Sequence, residues 1–85
     1  MSRPNELGDA VRRSLERYFK DLDGETPSAV YDMVLRIIEK PMIETVLRQA
    51  EGNQTSAAEM LGINRNTLRK KITDLGIEIR RVAGR

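Results

Sequence analysis

Eighty-five residues allow one small domain with a modest core. The chain has no cysteine and no histidine, which excludes a disulfide framework, a thiolate zinc site and the commonest general base. The net charge of +2 is unevenly placed: residues 1–50 hold eight Lys/Arg against nine Asp/Glu, while residues 51–85 hold seven against four. The basic charge therefore belongs to the C-terminal third, as expected if one end of the chain meets a polyanion. No apolar run approaches the ~20 residues of a membrane span, and the N-terminus has no signal-peptide core. A soluble, cytoplasmic protein with no membrane partner is expected.

Residues 1–6 are polar, include Pro4, and are expected to be disordered. Leu7, Val11, Leu15, Tyr18, Phe19 and Leu22 then recur at helical spacing, with Arg12, Arg13, Glu16, Arg17 and Lys20 on the other side. That is an amphipathic helix of about 14 residues. The run Asp21 to Glu25 reads as a stop and a solvated turn, and Thr26-Pro27-Ser28 as a new helix start with Thr26 as cap.

From Ser28 to Ala50 the apolar residues surround most of the helix instead of forming one stripe. A helix apolar nearly all round must be buried on several sides. Pro41 lies mid-pattern, removing one hydrogen bond at a cost of ~3 kcal/mol unless packing compensates; a kinked, continuous helix is expected. A monomer of this size cannot cover such a helix, and a two-fold dimer would. Val30, Val34, Ile37, Ile38, Pro41 and Met42 are the expected dimer interface, within a dimerisation region spanning residues 7–50.

Residues 51–76 read as two short helices joined by a tight turn. Asn53 caps the first, Thr55 to Leu61, and Gly62 ends it in the left-handed conformation that glycine tolerates. Asn64 caps the second, which runs from Arg65 to about Leu75 before Gly76 stops it. Leu68, Ile72 and Leu75 share one side of this second helix; Asn66, Arg69, Lys70, Thr73 and Asp74 take the other, with Arg65 at the first turn and Lys71 on the flank. Ala57 and Ala58 are small enough for a close crossing, which Leu61, Ile63 and Leu68 would fill. The layout is a helix-turn-helix whose second helix can enter a DNA groove. Residues 77–85 form a basic tail with no strong helix signal, read as a disordered extension or as an arm that touches flanking phosphates.

No phosphate loop, zinc-protease signature or calcium loop is present, and no enzyme, metal, cofactor or small-molecule substrate is expected. The three aromatics, Tyr18, Phe19 and Tyr31, lie outside the basic segment, which argues against a single-strand stacking platform. The chemistry is binding: Arg65, Arg69, Lys70 and Lys71 can neutralise phosphates, while Asn53, Thr55, Asn64 and Thr67 can donate to phosphates near helix ends.

The stretch GNQTSAAEMLGINRNTLRKK resembles the C-terminal motif of the Fis family of bacterial nucleoid-associated proteins. The DNA-binding ends of NtrC-type activators share the pattern, and the upstream helix containing KPMIETVL also resembles Fis. The resemblance runs from about Leu7 to Gly76. It implies an all-α, four-helix protomer with a long central helix pair, assembled as an intertwined homodimer. It places Asn53, Thr55, Asn64, Arg65, Thr67, Arg69 and Lys70 at double-stranded DNA, with loose sequence preference and strong bending. It further implies a nucleoid-associated transcription regulator and nucleoid organiser. Two departures stand out. The best-known members carry further lysines where Thr73 and Asp74 stand here, and Arg80 and Arg81 are the candidate replacements. They also carry an N-terminal arm that contacts a DNA invertase; only about six residues precede Leu7, so contact with a recombinase is not carried over. The alternatives are a DNA-binding module of an NtrC-type activator, against which Met1 and the short polar start speak, and a helical protein–protein adaptor.

Overall fold

A computed structural model describes residues 4–83. Every regular element among them is helical: α1 (Pro4–Leu22), α2 (Val30–Gln49), α3 (Gln54–Leu61), α4 (Arg65–Asp74) and α5 (Ile79–Ala83). None of these helices is long and apolar enough to cross a membrane. The chain divides into two compact units, one ending at Val34 and the other starting at Leu35.

In the first unit α1 starts at Pro4, so the expected disorder does not extend over residues 4–6; Met1–Arg3 lie outside the described residues. Proline suits a first helical position because its missing N–H has no intrahelical partner there anyway. Val11, Leu15, Tyr18 and Leu22 are half-buried, whereas Leu7 and Phe19 are exposed. The Tyr18 and Phe19 rings meet edge-on with centroids 5.4 Å apart. The next helix begins later than Thr26-Pro27 suggested. Ala29 takes a left-handed φ of 54°, and its carbonyl accepts the Met33 N–H, so α2 starts at Val30.

α2 runs through Pro41 without interruption, which bears out the expected continuity. In the second unit Ile43 and Leu47 on α2, Ala57 and Ala58 on α3, and Leu68, Ile72 and Leu75 at α4 form the core. Val46, Leu61 and Ile63 pack against it. The C-terminal segment departs from the expected unstructured tail: α5 forms, Ile77 is buried, and Ile79 and Val82 pack on the core. The protomer therefore has five described helices where four were expected, because three isoleucine and valine side chains after Gly76 find apolar cover. Gly84 and Arg85 lie outside the described residues.

Candidate nucleic-acid interface

The α3–α4 segment is built from local chemistry. At the start of α3 the Ser56 N–H donates to Asn53 Oδ1 at 3.0 Å, and at the start of α4 the Asn66 N–H donates to Asn64 Oδ1 at 2.7 Å. Each asparagine satisfies a backbone donor that the helix itself cannot. Between the helices Gly62 adopts φ 75°. Its N–H reaches the Glu59 carbonyl at 3.1 Å and the Ile63 N–H reaches the Ala58 carbonyl at 3.0 Å, the paired bonds of a Schellman ending. The same arrangement closes α4: Gly76 sits at φ 67°, and the Ile77 N–H donates to the Ile72 carbonyl at 3.0 Å.

The crossing of the two helices follows from residue size. Ala57 and Ala58 are 0% and 3% exposed, so α3 offers nearly bare backbone to α4, and Leu68 fills the contact from the other side. With Leu68, Ile72 and Leu75 turned inward, Arg65, Asn66, Thr67, Arg69, Lys70, Thr73 and Asp74 stand exposed on α4.

One surface cleft is lined by Gly52, Gln54, Thr55, Arg65 and Arg69. It joins the first residues of α3 to two arginines one turn apart on α4. Helix N-termini and guanidinium groups both favour anions, and arginine forks match phosphate oxygens. Three of the sequence-predicted residues, Thr55, Arg65 and Arg69, thus meet in one place. Gln54 joins them unpredicted; its only sequence signal was its position directly after the capping Asn53. Asn53, Asn64, Thr67 and Lys70 are exposed but do not line this cleft.

Lys71 differs from the other cations of α4 in its surroundings. Its Nζ donates to Glu39 Oε2 on α2 at 2.8 Å, and the residue is half-buried. Its position on the flank of α4 turns it toward α2. The expected interface residues on α2 are divided in the single chain. Val30, Val34 and Ile38 are half-buried, while Ile37, Pro41 and Met42 are exposed. Among the described residues no group of acidic side chains is placed to hold a metal ion.

Two short capped helices, a left-handed glycine between them and a second helix with an exposed basic side define a helix-turn-helix protein. The pattern of the bacterial regulatory protein family named for Fis matches residues 34–80. A protein of Ralstonia nicotianae, named as Fis-like and DNA-binding, is 57% identical over 77 residues, covering 91% of this chain and 99% of that relative. Proteins with the same description from two strains of Neisseria meningitidis are 51% identical over 72 residues, covering 85% of this chain and 91% of theirs. The chain belongs to the Fis family.

Proposed function

We propose that this protein binds duplex DNA through α3 and α4 as a homodimer, bends it, and so acts as a transcription regulator and organiser of the nucleoid. The observation that carries the reading is the cleft in which Thr55 and Gln54 at the start of α3 face the same space as Arg65 and Arg69 on α4. A phosphate seated there meets a hydroxyl, an amide and two guanidinium groups. The cap asparagines use their Oδ1 atoms on the helix, which leaves their NH₂ groups to donate outward. Arg65, at the first turn of α4, lies where a reading helix usually contacts bases; Thr67 and Lys70 are assigned to the flanking backbone.

The dimer is supported by what the single chain leaves uncovered. Tyr31, Leu35, Ile37 and Met42 on α2 are 77%, 37%, 65% and 45% exposed, large apolar side chains left uncovered on more than one side of a single helix. Two copies joined there present two α4 helices, as two half-sites on a duplex require. The test is affinity for duplex DNA across a salt series. We expect log K to fall linearly with log salt, with a slope of about −0.9 per neutralised phosphate. Salt-independent or absent binding would sink the reading in favour of the adaptor alternative.

A further inference from the structure

α4 is fastened to α2 by two directional links. Arg36 Nη2 donates to the Asp74 carbonyl at 3.2 Å, and Lys71 Nζ donates to Glu39 Oε2 at 2.8 Å. Arg36 and Glu39 are three residues apart on α2, and Lys71 and Asp74 are three apart on α4, so each pair shares a helix face. The links join one face of α2 to the last turn of α4. The Glu39–Lys71 pair differs from an ordinary surface pair. The glutamate and lysine side chains are only 16% and 33% exposed, and the residues lie 32 positions apart in the chain. Exposed pairs contribute little, but a pair withdrawn from water is screened less, and losing one partner strands the other charge. Arg36 acts at a helix C-terminus, where carbonyls lack intrahelical donors and cations are favoured. The contacts of Leu68 and Ile72 with the core are aliphatic and non-directional. They hold α4 against α2 without fixing its rotation, whereas a hydrogen bond and an ion pair impose one.

We propose that Glu39 and Lys71, assisted by Arg36, are positioning residues that set the rotation and tilt of α4, and through it how Arg65, Arg69 and Lys70 meet DNA. The proposal rests on the reading of α4 as the groove-entering helix. Lys71 is then not a phosphate ligand, because its charge is answered inside the fold. Glu39 gives a test of unusual sign. Deleting an acid makes the protein more positive, which by charge alone tightens DNA binding. Deleting a positioning acid loosens binding at the preferred site.

The experiment compares wild type with Glu39→Ala, Lys71→Ala, the exchanged pair Glu39→Lys/Lys71→Glu, and Lys70→Ala. Affinities for a preferred duplex and for random duplex are measured across a salt series, at a temperature where circular dichroism shows each variant folded. Glu39→Ala and Lys71→Ala lower the preferred-to-random ratio by about tenfold, with the salt slope unchanged. The exchanged pair recovers most of the ratio. Lys70→Ala reduces the slope by about one unit and keeps the ratio. A loss of stability alone does not move the ratio of a folded protein. The proposal is overturned if Glu39→Ala keeps the wild-type ratio or tightens binding, if Lys71→Ala flattens the salt slope as Lys70→Ala does, or if a folded exchanged pair does no better than the single variants. Where the single variants fail to fold, the exchanged pair is judged against wild type, and a folded exchanged pair with a ratio about tenfold below wild type overturns the proposal. In each of these outcomes wild-type binding keeps the functional reading; a wild type without salt-dependent duplex affinity fails that reading instead.

Discussion

The Ile63 N–H donates to the Ala58 carbonyl at 3.0 Å, and that bond turns the chain from α3 into α4. Ala58 thereby has two duties. Its carbonyl closes the turn, and its methyl group, 3% exposed, sets how near α4 can come. The turn and the helix crossing are fixed at the same residue, so a change there disturbs the cleft beside Thr55 and Arg65.

Ala58→Leu inserts three carbons where α3 meets the core. Overpacking costs about 1–3 kcal/mol and pushes neighbouring elements apart. Duplex affinity is expected to fall while self-association persists. Parallel fluorescence titration and sedimentation check this; equal loss of both would place Ala58 in the assembly interface instead.

Gly62 sits at φ 75°, and nothing lies within 4 Å of where a Cβ would stand. Substitution there carries no steric clash, only the backbone cost. Gly62→Ala is expected to lose about 1–2 kcal/mol, and Gly62→Asn less, since asparagine tolerates the left-handed region. Urea midpoints at constant m-value would measure it. Equal midpoints for all three proteins would mean that the turn can close another way.

The end of α2 offers the reverse experiment. Glu51 holds a left-handed φ of 56° without being glycine, while the Gly52 N–H reaches back to the Leu47 carbonyl at 2.9 Å. Glu51→Gly is expected to stabilise the fold by about 0.5–1 kcal/mol, relief of strain outweighing the extra freedom of the unfolded chain. A lower urea midpoint than wild type would contradict this.

The parts of this fold that could be read in the sequence are those decided within a few residues. Asn53, Gly62, Asn64 and Gly76 act on their immediate neighbours, so their spacing alone located α3, the turn and α4. The leucine and isoleucine positions of α4 named its inward side for the same reason. What escaped was decided at long range or against local signals. Thr26-Pro27-Ser28 carries the residues of a helix start, yet Ala29 takes the left-handed conformation and delays α2. Ile77, Ile79 and Val82 are too few to show a period, and only the core supplied by α2, α3 and α4 makes α5 worthwhile. Lys71 looks like its neighbours in a run of basic residues; its direction depends on Glu39, far back in the chain.

The assembly prediction starts from α2. Tyr31 and Ile37 are 77% and 65% exposed in the single chain, and the pair lies six residues apart on one helix. Among the described residues no further element covers them. The protein is expected to sediment as a dimer at micromolar concentration, with no stable folded monomer. Ile38→Asp is expected to unfold the chain instead of releasing folded monomers, because it withdraws an unpaired charge from water. A folded monomer at that concentration, from wild type or variant, would contradict this account of α2.

The last prediction separates the exposed residues of α4 by what each is expected to touch. Arg65 is at the first turn and lines the cleft beside Thr55, and Arg69 follows one turn later. A reading helix points its N-terminal residues at base edges. Arg65→Ala is therefore expected to cost about 1–3 kcal/mol at the preferred site and to relax preference at one position of each half-site. Lys70 is exposed, outside the cleft and further along the helix, and is the residue expected to meet the backbone. Lys70→Ala is expected to weaken every sequence alike and to reduce the salt slope by about one unit. Asp74 supplies the opposite sign. Its side chain is exposed while its carbonyl is held by Arg36, so Asp74→Lys changes the charge without releasing the helix end. If that end faces phosphate, Asp74→Lys strengthens binding to random duplex and steepens the salt slope. The measurement is affinity of all three variants for a preferred and a random duplex over a salt range. Unchanged affinities and slopes for both Arg65→Ala and Lys70→Ala would turn α4 away from DNA. The exposed apolar residues of α2 would then be left as the working surface of a protein–protein adaptor.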